Sequence, residues 1–353
     1  MKKNILAATL AVTTMLAAPV YAYEFTDTIQ TPVDIKSTGK AFRSSQQQKD
    51  VTILKVKLSE KELRALEYRT PVKSSKRSFA LSRMPASIQL GMNGVPVLDQ
   101  GRHGSCVTFA DSAAINAILG KGDYISQLCS LELGTHLEKN GYIPSGWNGS
   151  WGPMVLEQMM RFGVVSKEAQ LTKSCASLSE YPLKDKNNLG NEMALTEYKS
   201  LSENINTKVY WTHLFSNDQV FDWKTDAPAK MQEVLANVKK AIANGHRLTF
   251  GTFLILQEGC HAGACASFKA SKDTWALTSN LETPPYEVGG HELVITGYDD
   301  NAVAYDEFGG KHQGLLTLRN SWGADAGNNG DYYMSYDYFV KYANEVQEII
   351  PVK

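Results

Sequence analysis

The sequence has almost no net charge. Its 36 Lys and Arg against 37 Asp and Glu leave −1, which gives no basic surplus for nucleic acid. It has no second long apolar run: beyond the first 22 residues nothing is long and apolar enough to cross a membrane. It has no internal repeat, which excludes solenoids and propellers. It has no Cys-x-x-Cys pair, the usual mark of structural zinc. With 43% apolar and 21% charged residues, disordered and collagen-like chains are excluded too.

The near-zero charge hides an asymmetry. Residues 23–83 hold 13 Lys and Arg against 7 Asp and Glu, or +6, and residues 84–353 hold 21 against 30, or −9. These are two parts that attract each other. Before them stands an address. Lys2 and Lys3 precede the apolar stretch Ile5 to Ala18, and Val20-Tyr21-Ala22 suits signal peptidase. Cleavage after Ala22 and export to an extracellular or periplasmic space follow as expectations. In such a compartment disulfides persist. The five cysteines, Cys106, Cys129, Cys175, Cys260 and Cys265, are an odd number and leave one thiol over.

Residues 23–83 read as a separate segment. Leu54, Val56 and Leu58 share one strand face, Ser59 and Glu62 offer a capping box for a helix carrying Leu63 and Leu66, and Thr38-Gly39 can turn a hairpin. The basic run Ser74-Ser75-Lys76-Arg77-Ser78 is a candidate linker and processing site. Helical spacing begins at Cys106 (Val107, Ala110, Ala114, Ile118). It returns at Trp151 to Phe162, and again after Pro228 up to Asn244-Gly245. The stretch 184–227 is polar, with a candidate strand at Thr207 to Trp211. Strand-like runs follow at Leu248–Leu256, Glu292–Tyr298, Gly314–Asn320 and Asp331–Ser335. Helices first and strands second predict an α+β protein with two layers or lobes.

Three groups carry chemistry. Asp99-Gln100-Gly101 leads to Cys106 at the start of a helix, where the macrodipole favours thiolate. His291 opens a strand and can exchange a proton with that thiol. Asn320-Ser321-Trp322-Gly323 supplies an amide that can fix the tautomer of a histidine. Gln100 and the backbone N–H of Cys106 can hold an oxyanion.

In this order these groups resemble the papain-like cysteine peptidases, from about Met84 to Tyr336. The resemblance implies a two-lobed α+β fold, with a helical lobe starting at Cys106 and a barrel-like β lobe carrying His291 and Asn320. It makes Cys106 the nucleophile, His291 the acid and base, Asn320 the orienting amide and Gln100 the oxyanion donor. Trp322 would shield the His–Asn bond. Gly149, Ser150, Gly290 and Glu292 would line the substrate cleft. Met84-Pro85-Ala86-Ser87-Ile88 resembles the family's mature N-terminus, so 23–83 would be an inhibitory prosegment and 84–353 the catalytic domain, with an insertion near 184–227. The implied partners are a polypeptide substrate and the prosegment itself, on a monomer without metal or organic cofactor.

The departures are specific. His103 stands where the family has a cysteine, Val107 where it has an aromatic residue, and Trp147 and Ser150 alter its Cys-Asn-Gly-Gly loop. From Cys106 to His291 is 185 positions, against roughly 130–150 in the family. A Cys260–Cys265 bridge is preferred over metal binding by the Cys260-His261-Ala262-Gly263-Ala264-Cys265 run. Cys129–Cys175 would be the second bridge, though sequence permits other pairings. His103 reads as a solvent-facing loop residue, and His136, His213, His246 and His312 have no evident partners. Glu292 has two readings: the base of a pocket for a basic substrate side chain, or a glutamate turned to solvent or paired with a lysine. An acyl transferase of the transglutaminase type and a silent binding scaffold are the rival functions.

Overall fold

A computed structural model describes residues 23–36, 47–69, 84–142, 144, 146–185, 189, 192–217, 223–281 and 283–353. The expected signal peptide, the Thr38-Gly39 turn, the basic stretch 74–78, Arg83 and part of the polar stretch 184–227 lie outside the described residues.

The first two strands form a hairpin, β1 (Tyr23–Ile35) antiparallel to β2 (Gln47–Leu58). Leu54, Val56 and Leu58 are buried, as the alternation predicts, but so are Val51, Thr52 and Ile53. Consecutive residues of a strand face opposite ways, so β2 is covered on both faces over residues 51–54, while Lys57 is exposed. Ser59 then caps α1 (Glu60–Tyr68), its Oγ accepting the Glu62 N–H at 3.2 Å, with Leu63 and Leu66 turned inward. The helix ends at Arg69, which is fully buried. Its Nη1 donates to Ala343 O at 2.6 Å, and its Nη2 donates to Asn217 Oδ1. Asn217 in turn donates to Glu62 Oε1 at 3.1 Å. Burial lowers the Arg69 pKa to about 9, with Glu62 opposing the drop.

After β3 (Ser87–Gln89) comes the helical side. Helix α2 (Cys106–Leu119) is rich in alanine and buried almost all round. That is the pattern of a helix with neighbours on every side. The sheet packs against it, as do α3 (Gln127–Lys139) and α4 (Gly152–Phe162). Two short helices follow, α5 (Lys167–Lys173) and α6 (Leu195–Leu201). The disulfide Cys129–Cys175 ties α3 to the chain just beyond α5.

The polar stretch holds more order than its composition suggests. It carries α6 and β4 (Val209–Ser216), a strand that starts two residues later than expected and runs five further. Helix α7 (Trp223–Ala243) has Pro228 in its interior. The remaining elements are β5 (Arg247–Leu254), β6 (Ala266–Ser267), β7 (Thr274–Trp275), β8 (Glu287–Asp306), β9 (Lys311–Arg319), β10 (Asp331–Ser335), α8 (Tyr336–Tyr342) and β11 (Ala343–Pro351).

The fold is α+β. One sheet runs β4-β11-β5-β8-β6-β7-β10-β9, and β9 pairs back onto β8, so the last five strands close on themselves like a small barrel. One expectation is corrected here. Strands do not all follow the helices, because β2 and β3 both join the same sheet by pairing with β8. Among the described residues no helix is long and apolar enough to cross a membrane.

Candidate active site

The loop before α2 is built to present Cys106. Gly101 has φ +59°, and a Cβ there would lie 2.1 Å from Leu183 O, so only glycine fits this turn. Asp99 Oδ1 accepts the Gly101 N–H at 2.8 Å. The Gln100 amide is held at both ends. Its Oε1 accepts the Ser321 hydroxyl at 2.7 Å, and its Nε2 donates to His103 O at 2.9 Å. Ser105 places its Oγ 2.9 Å from Tyr181 Oη instead of capping α2.

His291 lies on β8, and Asn320 follows directly on β9. Strand pairing sets Val294 opposite Arg319, which brings the two side chains together. His291 Nε2 is 2.8 Å from Asn320 Oδ1. That oxygen also accepts the Ser321 backbone N–H at 2.7 Å. A backbone donor identifies the acceptor as the amide oxygen, so the imidazole proton sits on Nε2. Nδ1 is then an acceptor, and it is buried with no hydrogen-bond partner. Trp322 stacks on the imidazole with ring centroids 4.6 Å apart and is itself enclosed by Trp275 and Tyr332. Cys106 is the one cysteine outside the bridges Cys129–Cys175 and Cys260–Cys265.

Cys106 and His291 line one cavity with Ser150, Gly290 and Glu292, and Gly149 lies beside it. The hairpin closes this cavity. Leu54 pairs with Gly290 and Val56 with Val288, and a Cβ on Gly290 would come 2.7 Å from Val56. Phe25 and Leu54 press on Gly149, each within 3.2 Å of where its Cβ would be. Only about 20 Å³ remains open. The Thr52 carbonyl accepts from Gln100 Nε2 at 3.3 Å. Charge supports the same contact: Lys55 pairs with Glu287 at 3.1 Å, and Lys49 lies between Asp325 and Asp99.

Burial sets the protonation of both groups. It pushes the Cys106 thiol up to about 12 and pulls His291 down to about 4. Both groups are neutral at pH 7, a thiol and an imidazole on one cavity.

Some readings need correction. His103 is buried, not solvent-facing; its Nε2 lies 2.7 Å from Pro182 O and its ring packs edge-on to Trp147 and Tyr181. His246 pairs with Glu348 at 2.6 Å, His312 with Asp306 at 2.9 Å, and His136 faces Glu192 at 3.9 Å. His213 packs edge-on to Trp211. Glu292 neither reaches solvent nor meets a lysine: it is 2% exposed, and Asp111 and Glu345 face it. Asp111 and Glu345 went unnoticed in the sequence, as did the role of Ser321. Asp111 had a signal, a carboxylate inside an otherwise apolar helical repeat.

Burial raises the pKa of Glu292 and Asp111 well above the carboxylate range, and their mutual repulsion with Glu345 adds to it. The folded protein therefore holds protons there that the unfolded chain releases, and stability falls as pH rises above the ordinary carboxylate range. His291 acts oppositely. Its depressed pKa costs stability as pH falls below 6.5 towards about 4. Glu292→Gln, made in the full chain carrying Cys106→Ala, is expected to raise the melting temperature by about 2–4 °C at pH 7.5. Near pH 4 it should change little. Thermal melts at both pH values check this, and an equal shift at each would refute the buried-charge account.

No family profile matches the sequence, and no curated protein sequence is similar to it. Solved structures are similar in fold. Xylellain, a cysteine protease from Xylella fastidiosa, has 17% identity and a TM-score of 0.48, covering 81% of this chain and 92% of its own. Digestive procathepsin L 3 of the Tenebrio molitor larval midgut has 17% identity and a TM-score of 0.45, over 84% of this chain and 79% of its own. The bromelain protease from Ananas comosus has 18% identity and a TM-score of 0.42, over 76% of this chain and 99% of its own.

Proposed function

We propose that the chain is a secreted cysteine peptidase made as a precursor, with residues 23–83 as its inhibitory prosegment and 84–353 as its catalytic domain. One observation carries the reading. The His291 Nε2–H is tied to Asn320, which leaves a bare Nδ1 on the cavity it shares with the unpaired thiol of Cys106. An acceptor nitrogen and a nucleophilic sulfur in one cleft are what acyl transfer to cysteine requires.

The steps follow from these groups. His291 Nδ1 takes the Cys106 proton, and Sγ attacks the carbonyl carbon of a peptide bond. The oxyanion is received by Gln100 Nε2 and the Cys106 backbone N–H. In the precursor a carbonyl oxygen, that of Thr52, already rests on Gln100 Nε2. The carbon–nitrogen bond breaks as His291 returns the proton to the leaving amine. Water, deprotonated by His291, then splits the thioester and restores the thiol. Asn320 keeps the imidazole in one tautomer and Trp322 keeps water off their hydrogen bond. Export after cleavage near Ala22, a monomeric state and action within polypeptides belong to the same proposal. So does independence from metal and organic cofactors.

The test is to incubate the processed protein with a peptide and a primary amine, and to weigh the products. Two fragments whose masses sum to peptide plus water support hydrolysis. A fragment carrying the amine would replace peptidase with acyl transferase, and intact peptide would leave a silent scaffold.

A further inference from the structure

The loop from Asp99 to Ser105 that presents Cys106 is held by a short segment to which the reaction above gives no part, Tyr181-Pro182-Leu183. Tyr181 Oη donates to Gln100 O at 3.0 Å and lies 2.9 Å from Ser105 Oγ. A phenol has one hydrogen and a carbonyl oxygen can only accept, so Ser105 donates to Tyr181. Burial raises the Tyr181 pKa, so the phenol keeps that hydrogen. His103 Nε2 donates to Pro182 O at 2.7 Å, and the Arg102 N–H donates to Leu183 O at 3.1 Å.

The rings repeat the hold. Tyr181 stacks on Trp147 with centroids 5.6 Å apart, and it meets His103 and Phe109 edge-on at 5.6 and 5.1 Å. Trp147 O accepts the Gly104 N–H at 2.8 Å. Two departures from the family pattern, His103 and Trp147, therefore belong to one contact, their centroids 4.9 Å apart. The segment is itself anchored. Ser179 O accepts from Gln170 Nε2 at 2.9 Å, and Cys175 and Leu178 exchange main-chain hydrogen bonds beside the bridge to Cys129.

What these contacts secure is a pair of donors. Gln100 Nε2 has two hydrogens: one is fixed on His103 O at 2.9 Å, and the other is left for Thr52 O at 3.3 Å. That second hydrogen keeps its aim only while the Gln100 main chain and the His103 carbonyl stay in place. Tyr181 holds the first and Pro182 the second. Ser105 directly precedes Cys106, so the same phenol bears on the peptide unit whose N–H belongs to Cys106.

We propose that Tyr181 is a positioning residue for the oxyanion site, fixing Gln100 through its carbonyl and the Cys106 N–H through Ser105, with His103 as the second tie. This rests on Cys106 as nucleophile and Gln100 as oxyanion donor, and it names what keeps that donor aimed. An oxyanion donor acts only when it is preorganised, so a small displacement is costly.

The experiment compares Tyr181→Phe with wild type, each made as the full chain and cut at its linker before assay. Two rates at Cys106 are read per titrated site: kcat/KM on one peptide, and alkylation by iodoacetamide, which forms no oxyanion. Tyr181→Phe keeps the ring and should lower kcat/KM about tenfold or more, with alkylation within about twofold. Ser105→Ala should show a smaller loss of the same kind, because the phenol keeps its own bond to Gln100. In a Gln100→Ala background Tyr181→Phe should cost clearly less than in wild type, since the donor it aims is already gone. Hydrolysis unchanged in both single variants overturns the proposal. So does an equal fall in hydrolysis and alkylation, which marks general loosening, and so does an undiminished cost in the Gln100→Ala background. A wild type that neither cuts peptide nor is alkylated at Cys106 would instead remove the nucleophile assignment, and the role of Tyr181 with it.

Discussion

His291→Ala in the processed protein is expected to lower peptide hydrolysis by about five to six orders of magnitude, and Cys106→Ala by a similar amount. The size follows from the way the groups act as one unit. Without Nδ1 as acceptor the thiol stays protonated and the leaving amine has no proton donor. Without Sγ there is no acyl-enzyme. The double variant should therefore be no worse than either single one, because each already stops the same step. Active-site-titrated kcat/KM measured on one peptide checks this. Losses that multiply in the double variant would mean that the two residues serve separate processes. Asn320→Ala should cost less and should move the pH profile, since its hydrogen bond sets the tautomer and does not itself transfer a proton.

The second large effect concerns the cover. In the intact precursor Cys106 should be alkylated very slowly at pH 7, and removal of the prosegment should speed alkylation by about three orders of magnitude. With a pKa near 12 the thiolate fraction at neutral pH is minute. A thiol returned to the ordinary range near 8.5 has about a thousandfold more. Steric access through the vacated cleft adds to this gain. Peptide mapping after labelling with a cysteine-directed epoxide, on protein with and without residues 23–83, reads the difference at Cys106. Equal labelling in the two forms would mean that the hairpin does not govern the site. Arg69→Ala should lie between them, because it leaves Glu62 buried without its cation and loosens α1 from β11. Added salt should matter less, since the Lys55–Glu287 pair is partly exposed.

The sequence was most legible where chemistry needs a fixed residue type. Cys106 at a helix start, His291 at a strand and the Asn320-Ser321-Trp322-Gly323 run could be read directly, and the backbone brings them together. The capping box at Ser59 and the strand at Leu54–Leu58 were local signals, and local signals survive folding. What could not be read depends on distant partners. His103 looked like a loop residue because nothing nearby in sequence announces Trp147 or Tyr181 as its neighbours. Asp111, Glu292 and Glu345 come from α2, β8 and β11, and no spacing rule links them. The hairpin's place in the main sheet was hidden for the same reason: strand pairing across more than 200 residues leaves no periodic trace.

Under the proposed reading of residues 23–83 as an inhibitory segment, the shared sheet governs how the site opens. β2 is bound to β8 by main-chain hydrogen bonds and buried side chains, whereas the covalent link to the body only keeps it close. Cutting the linker turns an intramolecular contact into an ordinary equilibrium between two molecules. The severed hairpin loses the millimolar effective concentration that a short tether gives and competes only at its own bulk concentration. Activity after cleavage should then depend on dilution. A concentrated preparation would remain self-inhibited with every linker cut, and it would switch on only when the fragment diffuses away or is itself digested.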